Sequence, residues 1–598
     1  METQTDKKIL DAVASPGGVP LGITGSPSTT LEIEIDITEE GKVERTLGQM
    51  VYVLVEEDGR KVLVIGQIIS IQTKNRWHED PAFKGVIKRH GRLPHLSGAA
   101  DNRLATISVQ ACYDLKEDGE ATGYILGTSP STGERVWKMD NTVMEALMKT
   151  NKDAITYIGK VYATDVHLPF WFKHFDKDDE EHHEYGAKDA YHIGIFGKTG
   201  SGKTVTASLV LLGYAKNKNN ISTLVLDPQG QFYLDKDLLP SGASLKDELE
   251  KKGMKYERYK ILEDVCLPGD DTDLFADLLL NNDFIRSAFR IFPEDKLILA
   301  AEVISGYFDG RMAKPGFSLG NVTDKIGLLK EMLTRFVTPK DAAETKDGFT
   351  RYILDVYGTK DSRTKLVRRL TSVLETIDHD EALKSKWTSV LELFSQTKSS
   401  GDAKIAVKEV VRKTVEENGN FIILDLSPKK GEIESENLQA RFVKLIESAV
   451  IESGASCYAE GKKANALIVM DEAHRFIASD SPDERIRELT SHIVGSVRTT
   501  RKYGIGYMFI TQTVESLDDE ILRQMRVYGF GYGLTSGPEL RKVAEVINNP
   551  AALQLYKSFI DPSSNGKFPF MFFGPISPLS FTGSPLFMEV YKDFKDFR

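Results

Sequence analysis

Between Thr30 and Leu115 the chain is built of short apolar or alternating runs, Leu31–Ile37 (LEIEIDI), Gln49–Val55, Val62–Thr73 and Leu104–Leu115, set apart by turn-forming clusters. Alternation with a period of two marks half-buried strands, and EEDGR (Glu56–Arg60) between two of them marks a hairpin. These runs predict an N-terminal β-barrel over 29–127. Residues 1–28, rich in Gly, Pro, Ser and Thr, are expected to be a flexible lead-in. The polar stretch Lys74–Gly98 is expected to be a loop; its His78, Glu79, Asp80, His90 and His95 match no metal-ligand spacing. Its cations Lys74, Arg76, Lys88, Arg89 and Arg92 read as a solvated face, with a contact to a partner or nucleic acid as the alternative.

The pattern then changes to strands alternating with helices. Buried-type strands are expected at Ile193–Phe196, Thr223–Leu226, Asn420–Ser427, Ala466–Met470, Gly506–Thr511 and Val527–Leu534, with helices after most of them. This predicts an α/β P-loop NTPase fold, RecA-like with a mainly parallel sheet. The core is expected in two parts, 128–235 (a linker and the first part) and 416–545, interrupted by a helical insertion over 236–415. Residues 546–598 are expected to give a strand and an extended brace for a neighbouring subunit. The insertion's Arg363, Lys365, Arg368 and Arg369 read as a helix face or a DNA or subunit contact.

Composition adds limits. At 598 residues the chain is long enough for about three or four units. A 41% hydrophobic and 28% charged content is that of an ordinary globular protein, and no apolar run reaches membrane-spanning length. Three well-separated cysteines, Cys112, Cys266 and Cys457, and a start without an apolar signal segment lead to the expectation of a cytoplasmic protein with no membrane partner. The net charge of −11 excludes a uniformly basic coat, but not a local basic surface. The acidic stretch around His182 and His183 reads as a polar loop rather than a cation site.

The chemistry is concentrated in YHIGIFGKTGSGKT (Tyr191–Thr204), where a strand enters a glycine-rich turn and then a helix. Gly197, Gly200 and Gly202 let backbone N–H groups turn around a polyphosphate, with Thr199, Ser201 and Val205 completing the ATP-binding loop. Lys203 is placed to reach the β- and γ-phosphates of ATP, and Thr204 to offer its hydroxyl to Mg²⁺. A second strand, ALIVM, delivers Asp471 as a metal ligand and Glu472 to orient the attacking water. Two adjacent carboxylates at that point favour hydrolysis over small-molecule phosphorylation. Asp227 ends another strand at the ligand-binding edge and joins the ATP-binding set, with Gln231 nearby. Gln512, ending the strand FITQ, is the candidate γ-phosphate sensor. Arg501 or Arg498, just upstream, is the candidate arginine finger acting on a neighbouring subunit's nucleotide.

The barrel, GKTGSGKT after a strand bearing His192, DPQGQF, FIILDLS, LIVMDEAHRF, TRKYG and FITQT resemble, in that order, the HerA branch of the HerA-FtsK superfamily. One departure is TTRK where a glycine-preceded arginine is expected. The resemblance implies a homo-oligomeric ring, a hexamer, with ATP between subunits and double-stranded DNA translocated through its channel. It implies a separate effector docked on the barrel: a NurA-like or other nuclease, or a sirtuin-like NADase, in anti-phage defence or DNA end processing. The alternatives are an ATP-regulated hexameric scaffold that activates its partner enzyme, with DNA movement secondary, and a secretion-type ATPase.

Overall fold

The computed structural model describes residues 9–14, 19–93, 95–117, 119–152, 154–172, 189–216, 221–313, 315–337, 356–398, 400–427, 436–478, 481 and 484–597. His182 and His183 lie outside them.

The N-terminal strands are β1 (Gly22–Thr24), β2 (Glu32–Ile37), β3 (Met50–Glu57), β4 (Arg60–Lys74), β5 (Asn102–Leu115), β6 (Ala121–Tyr124) and β7 (Arg135–Lys138). They pair in the order β2-β1-β7-β3-β4-β5, and β2 returns onto β5, so six strands close into a barrel with β6 flanking β5. Closure leaves no free sheet edge among the six. Alternate residues such as Ile33, Ile35, Val51, Val53, Val62, Val64, Ile107 and Val109 fill the interior. The expected hairpin is present: Asp58 and Gly59 both take positive φ, the conformation a two-residue turn between twisted strands requires. The barrel exceeds the stretch expected for it. β1 lies in the expected lead-in and β7 beyond residue 127, strands of three and four residues too short to show a periodicity. Ile9–Ala14 is a helix rather than part of a flexible lead-in, with Ile9, Ala12 and Val13 buried.

The expected loop at 74–98 is also corrected. It contains two helices, Arg76–Glu79 and Pro81–His90, capped by the side chains of Asn75 and Asp80. Neither helix buries a residue. Without a buried face there is no apolar stripe to read.

The second sheet comprises β8 (Thr156–Val161), β9 (His167–Phe170), β10 (Ile193–Phe196), β11 (Ser222–Asp227) and β12 (Lys255–Lys260). After a two-residue pair, β13 (Val265–Cys266) and β14 (Ile405–Ala406), come β15 (Asn420–Asp425), β16 (Ala466–Met470), β17 (Ile505–Thr511), β18 (Val527–Gly531), β19 (Phe568–Phe573) and β20 (Leu586–Val590). Its order is β12-β15-β11-β16-β17-β10-β18-β19-β20-β8-β9. The strands are parallel from β12 to β18 and antiparallel from there to β9. Period-two burial divides each central strand between two cores. Leu224, Ile422, Ile468 and Tyr507 face the helices Glu436–Ala459 and Glu484–Thr500, while Val225, Ile423, Val469 and Met508 face the helix Lys203–Lys216.

Three expectations change here. Residues 255–260 form the outermost strand of the parallel sheet, so the segment 236–415 is not wholly an insertion. Its helical part, including Thr272–Asn281, Glu294–Met312, Lys360–Thr376 and Glu381–Phe394, packs around Trp387, Phe275, Phe308 and Phe394. Residues 128–190 are more than a linker, since they supply β7 to the barrel and β8 and β9 to the sheet. The C-terminal segment is no free brace: β20 sits between β19 and β8 of its own chain. There it also ties the two parts together, because buried Gln67 of β4 accepts from Phe587 N–H and donates to Phe587 C=O.

Candidate active site

Strand register brings the candidate residues together. Phe196 pairs with Thr511, Met470 with Phe509 and Leu226 with Met470. The residues that follow, Gly197, Gln512, Asp471 and Asp227, therefore emerge along one carboxyl edge of the parallel strands.

At that edge Gly197, Gly200 and Gly202 have φ of 155°, 80° and 86°. A Cβ on Gly197 would stand 2.5 Å from Ser201 Oγ, and one on Gly202 2.5 Å from the Phe568 ring, so the loop takes this course only with glycine at both. The turn opens directly into the helix Lys203–Lys216, whose first N–H groups point back into the loop. Lys203 is 8% exposed and its ammonium donates to Lys198 C=O at 3.3 Å. Burial lowers its pKa, against the opposing pull of Glu472 and Asp471. Thr204 Oγ1 lies 3.5 Å from Gln231 Oε1. Thr199 and Gly200 are exposed at the loop tip, and Val205 packs partly buried on the core.

Asp471 and Glu472 follow β16 directly. Burial, then Asp227 and Glu472, push the Asp471 carboxyl up to about 7, with Lys203 opposing. Such a carboxylate is held in want of a cation. Glu472 takes a left-handed backbone, φ 47°, which turns its side chain towards Gln512. Gln512 Nε2 donates to Glu472 Oε1 at 2.8 Å, and Gln512 Oε1 accepts from the Thr199 hydroxyl at 2.8 Å. One amide thus spans the glycine-rich loop and the acidic pair. His474 Nδ1 stands 3.3 Å from Glu472 Oε2 and 3.2 Å from the Thr511 hydroxyl.

Asp227 is at the edge but faces its own loop. Its two oxygens accept from Gln231 N–H at 3.1 Å and Tyr233 N–H at 2.8 Å, holding the DPQGQF turn. Burial raises its pKa to about 6 against those bonds, with Asp425 adding to the rise. Arg498 and Arg501 are not brought to the site. They precede β17, at the end opposite Gln512, about 20 Å away for a seven-residue strand. Arg498 pairs with Glu520 at 2.6 Å and Arg501 with Asp189 at 3.3 Å.

Two residues that sequence reasoning missed also belong here. Buried Glu539 accepts from Val514 N–H at 2.8 Å and Glu515 N–H at 3.3 Å, while its other oxygen lies 3.5 Å from Lys198 Nζ. It thereby joins the glycine-rich loop to the turn after Gln512. Phe568 of β19 walls the loop at Gly202.

The donor set fits a polyphosphate with a divalent cation. Ser201 Oγ is buried without a hydrogen-bond partner, Glu472 Oε2 has only the His474 ring beside it among the described residues, the glycine cradle has no Cβ, and Lys203 faces two carboxylates. Among the described residues no three His, Cys, Asp or Glu side chains make a metal cluster by themselves, and a divalent cation held here would need phosphate or water oxygens to complete its shell.

Residues 189–450 match the family model described as Helicase HerA, central domain. Similar solved structures include VirB4 of Thermoanaerobacter pseudethanolicus, at 14% identity over 68% of this chain and 91% of that one, with a TM-score of 0.34. The bacterial conjugative coupling protein TrwBdeltaN70 is 10% identical over 69% and 90%, TM-score 0.34. The genome packaging NTPase B204 of Sulfolobus turreted icosahedral virus 2, in complex with ATP-gammaS, is 16% identical over 30% and 71%, TM-score 0.19. No curated protein matches. Residues 189–450 thus match the HerA central domain, and over that stretch the chain resembles the HerA branch of the P-loop proteins.

Proposed function

We propose that this chain hydrolyses ATP as one subunit of a ring, a hexamer, that moves double-stranded DNA in the cytoplasm and works with a separate effector enzyme seated on its barrel. The effector is a nuclease or a sirtuin-like NADase, in anti-phage defence or DNA end processing. The observation that carries the reading is the single edge on which Lys203, the Asp471–Glu472 pair and Gln512 meet, with Gln512 bonded to Glu472 and to Thr199. In this reading the loop N–H groups and Lys203 hold the phosphates. Thr204 and Asp471 hold Mg²⁺, which neutralises phosphate charge when bound. Glu472, released by Gln512 as the γ-phosphate takes up its amide, orients the attacking water.

ATP turnover by the purified full chain, with and without duplex DNA and with particle mass recorded on the same samples, tests the reading. Expected are a ring-sized particle, stimulation by DNA, and a loss of at least about 100-fold in turnover in Lys203→Ala and Glu472→Gln. Wild-type turnover in either variant would overturn the site. A slow rate indifferent to DNA, with partner activation retained in Lys203→Ala, would replace the motor with an ATP-regulated scaffold.

A further inference from the structure

The helical pair in the barrel, between β4 and β5, is firmly built at its base and unpartnered above it. Asn75, 7% exposed, donates to Leu96 C=O at 2.9 Å and to Asp101 Oδ1 at 2.6 Å, and its own Oδ1 caps the first helix. Ser97 closes the return chain through His78 Nε2 at 2.6 Å and Leu93 N–H at 2.9 Å. The second helix, Pro81–His90, starts on an Asp80 cap and stops at Gly91 with φ 72°. A defined pair of helices that buries nothing has its shape for a reason other than the core.

Its surface is cationic. Lys74–Arg103 contains seven lysines and arginines against three carboxylates, in a chain whose net charge is −11. Lys74, Arg76, Lys84, Lys88, Arg89 and Arg92 are all exposed, and none has a carboxylate within 4.0 Å among the described residues. Other basic groups are engaged: Arg412 with Glu409 and Glu417, Lys413 with Glu257, Arg441 and Arg485 with Asp277. In the helix Lys360–Thr376, Arg363 and Arg369 donate to the carbonyls of Tyr357 and Arg290. The barrel helices keep their cations in water, side by side, in mutual repulsion.

We infer that this helical pair is a contact surface for the phosphate backbone of double-stranded DNA. The inference rests on the DNA reading above and adds where the chain holds the duplex. The surface chemistry selects this occupant over a protein: arginine alone is common in protein–protein interfaces, but these bury an apolar, charge-depleted core and are poor in lysine, whereas this surface mixes three lysines with three arginines. Here the exposed apolar groups are few, chiefly Trp77 at 40% and Val86 at 43%. A row of unpaired cations instead gains from releasing the counterions of a polyanion, without reading base sequence.

Anisotropy of a fluorescein-labelled 30-base-pair duplex, titrated with the full-length protein over a series of KCl concentrations, tests this. The variant carries Lys84→Gln, Lys88→Gln, Arg89→Gln and Arg92→Gln. A control carries Lys236→Gln, Lys255→Gln, Lys408→Gln and Lys557→Gln, four exposed lysines scattered over the rest of the chain. Particle mass and thermal midpoint are recorded for all three. With mass and midpoint unchanged, the barrel variant is expected to bind at least about tenfold more weakly at 100 mM KCl, and its slope of log affinity against log salt to fall by about 3 to 4 relative to wild type and control. An unchanged slope, an equal loss in the control, or an altered particle mass with duplex binding intact would overturn the inference, the last marking a contact between copies. Failure of the wild type itself to bind duplex would overturn the DNA reading together with it.

Discussion

Gln512 occupies both of its amide groups in bonds that a nucleotide would have to rearrange. Thr199 at the loop tip and Glu472 beyond β16 are far apart in sequence, and one side chain holds them in a fixed relation. A glutamate bonded in this way is turned from water, and in the proposed function phosphate binding would free it. Another buried carboxyl lies within the fold, bonded to the strand that leads to Gln512. Glu447 is wholly buried in the helix Glu436–Ala459; Tyr507 donates to its Oε2 at 2.6 Å and its Oε1 has no partner. Nearby, His192 links the same strand to the helix Glu484–Thr500: its Nε2 lies 3.0 Å from Val497 C=O and its Nδ1 accepts from Tyr507 N–H. Burial pushes the Glu447 carboxyl up to about 7, against the Tyr507 bond. Its folded pKa exceeds the unfolded one, so its contribution to stability is complete below about pH 4 and is lost as pH rises through about 7. The loss is on the order of 3 kcal/mol. Glu447→Gln, which cannot ionise, is therefore expected to match wild type in thermal midpoint near pH 5 and to exceed it by about 2 °C at pH 8. Parallel midpoint profiles across that range would show that the carboxyl stays neutral or is relieved by another group.

Elements differ in how far their residues announce them, and the difference is physical. The glycine-rich loop is legible because its requirement is local: three positive-φ positions and a lysine within eight residues. β11, β15, β16 and β17 are legible because burial on both faces makes them continuous apolar runs. β12, KYERYK, is hidden because it is the outermost parallel strand and half exposed, so polar residues serve it well. Glu539 and Phe568 reach the loop from more than 300 residues away, a distance over which no motif carries information. The C-terminal segment reads as an arm because its apolar residues are separated by a Gly–Ser–Pro turn, yet its place is interior: Phe587 and Met588 are wholly buried. A Cβ at Gly159 of β8 would meet Glu589 C=O at 2.4 Å, which shows how closely β20 seats. A chain ending at Ser584 would lose the strand that joins β19 to β8 and the Gln67 bonds to the barrel. The expected outcome is loss of soluble protein or a midpoint lowered by at least about 10 °C, since β19 and β8 would both be left with unpaired edges. A truncated chain that stays folded and only loses its oligomer would restore the segment to the role of an arm.

In the chain as a whole, the carboxyl edge of the parallel sheet holds the residues proposed to bind phosphate, while Arg498 and Arg501 lie at the opposite end of β17. No single copy can bring both to one nucleotide, because a strand of seven residues keeps them about 20 Å apart. If an arginine takes part in hydrolysis it acts across a head-to-tail interface, which in a closed ring repeats at every subunit. The two candidates are held differently. Arg501 is tied to Asp189 and its main chain accepts from Ala190 N–H, at the approach to β10, whereas Arg498 is half exposed and, among the described residues, paired with Glu520 on the surface. Each is tested by mixing. Protomers carrying Arg498→Ala or Arg501→Ala retain Glu472, and Glu472→Gln protomers retain both arginines. In a ring assembled at random from equal parts, about a quarter of interfaces would then join an intact Glu472 to an intact arginine. Turnover near that fraction of wild type, absent from either parent alone and with ring mass unchanged, identifies an arginine acting in trans. Arg501→Ala that lowers the thermal midpoint, and regains nothing on mixing, would leave Arg501 as the tie of the β10 approach, and Arg498 would be the only remaining candidate of the two.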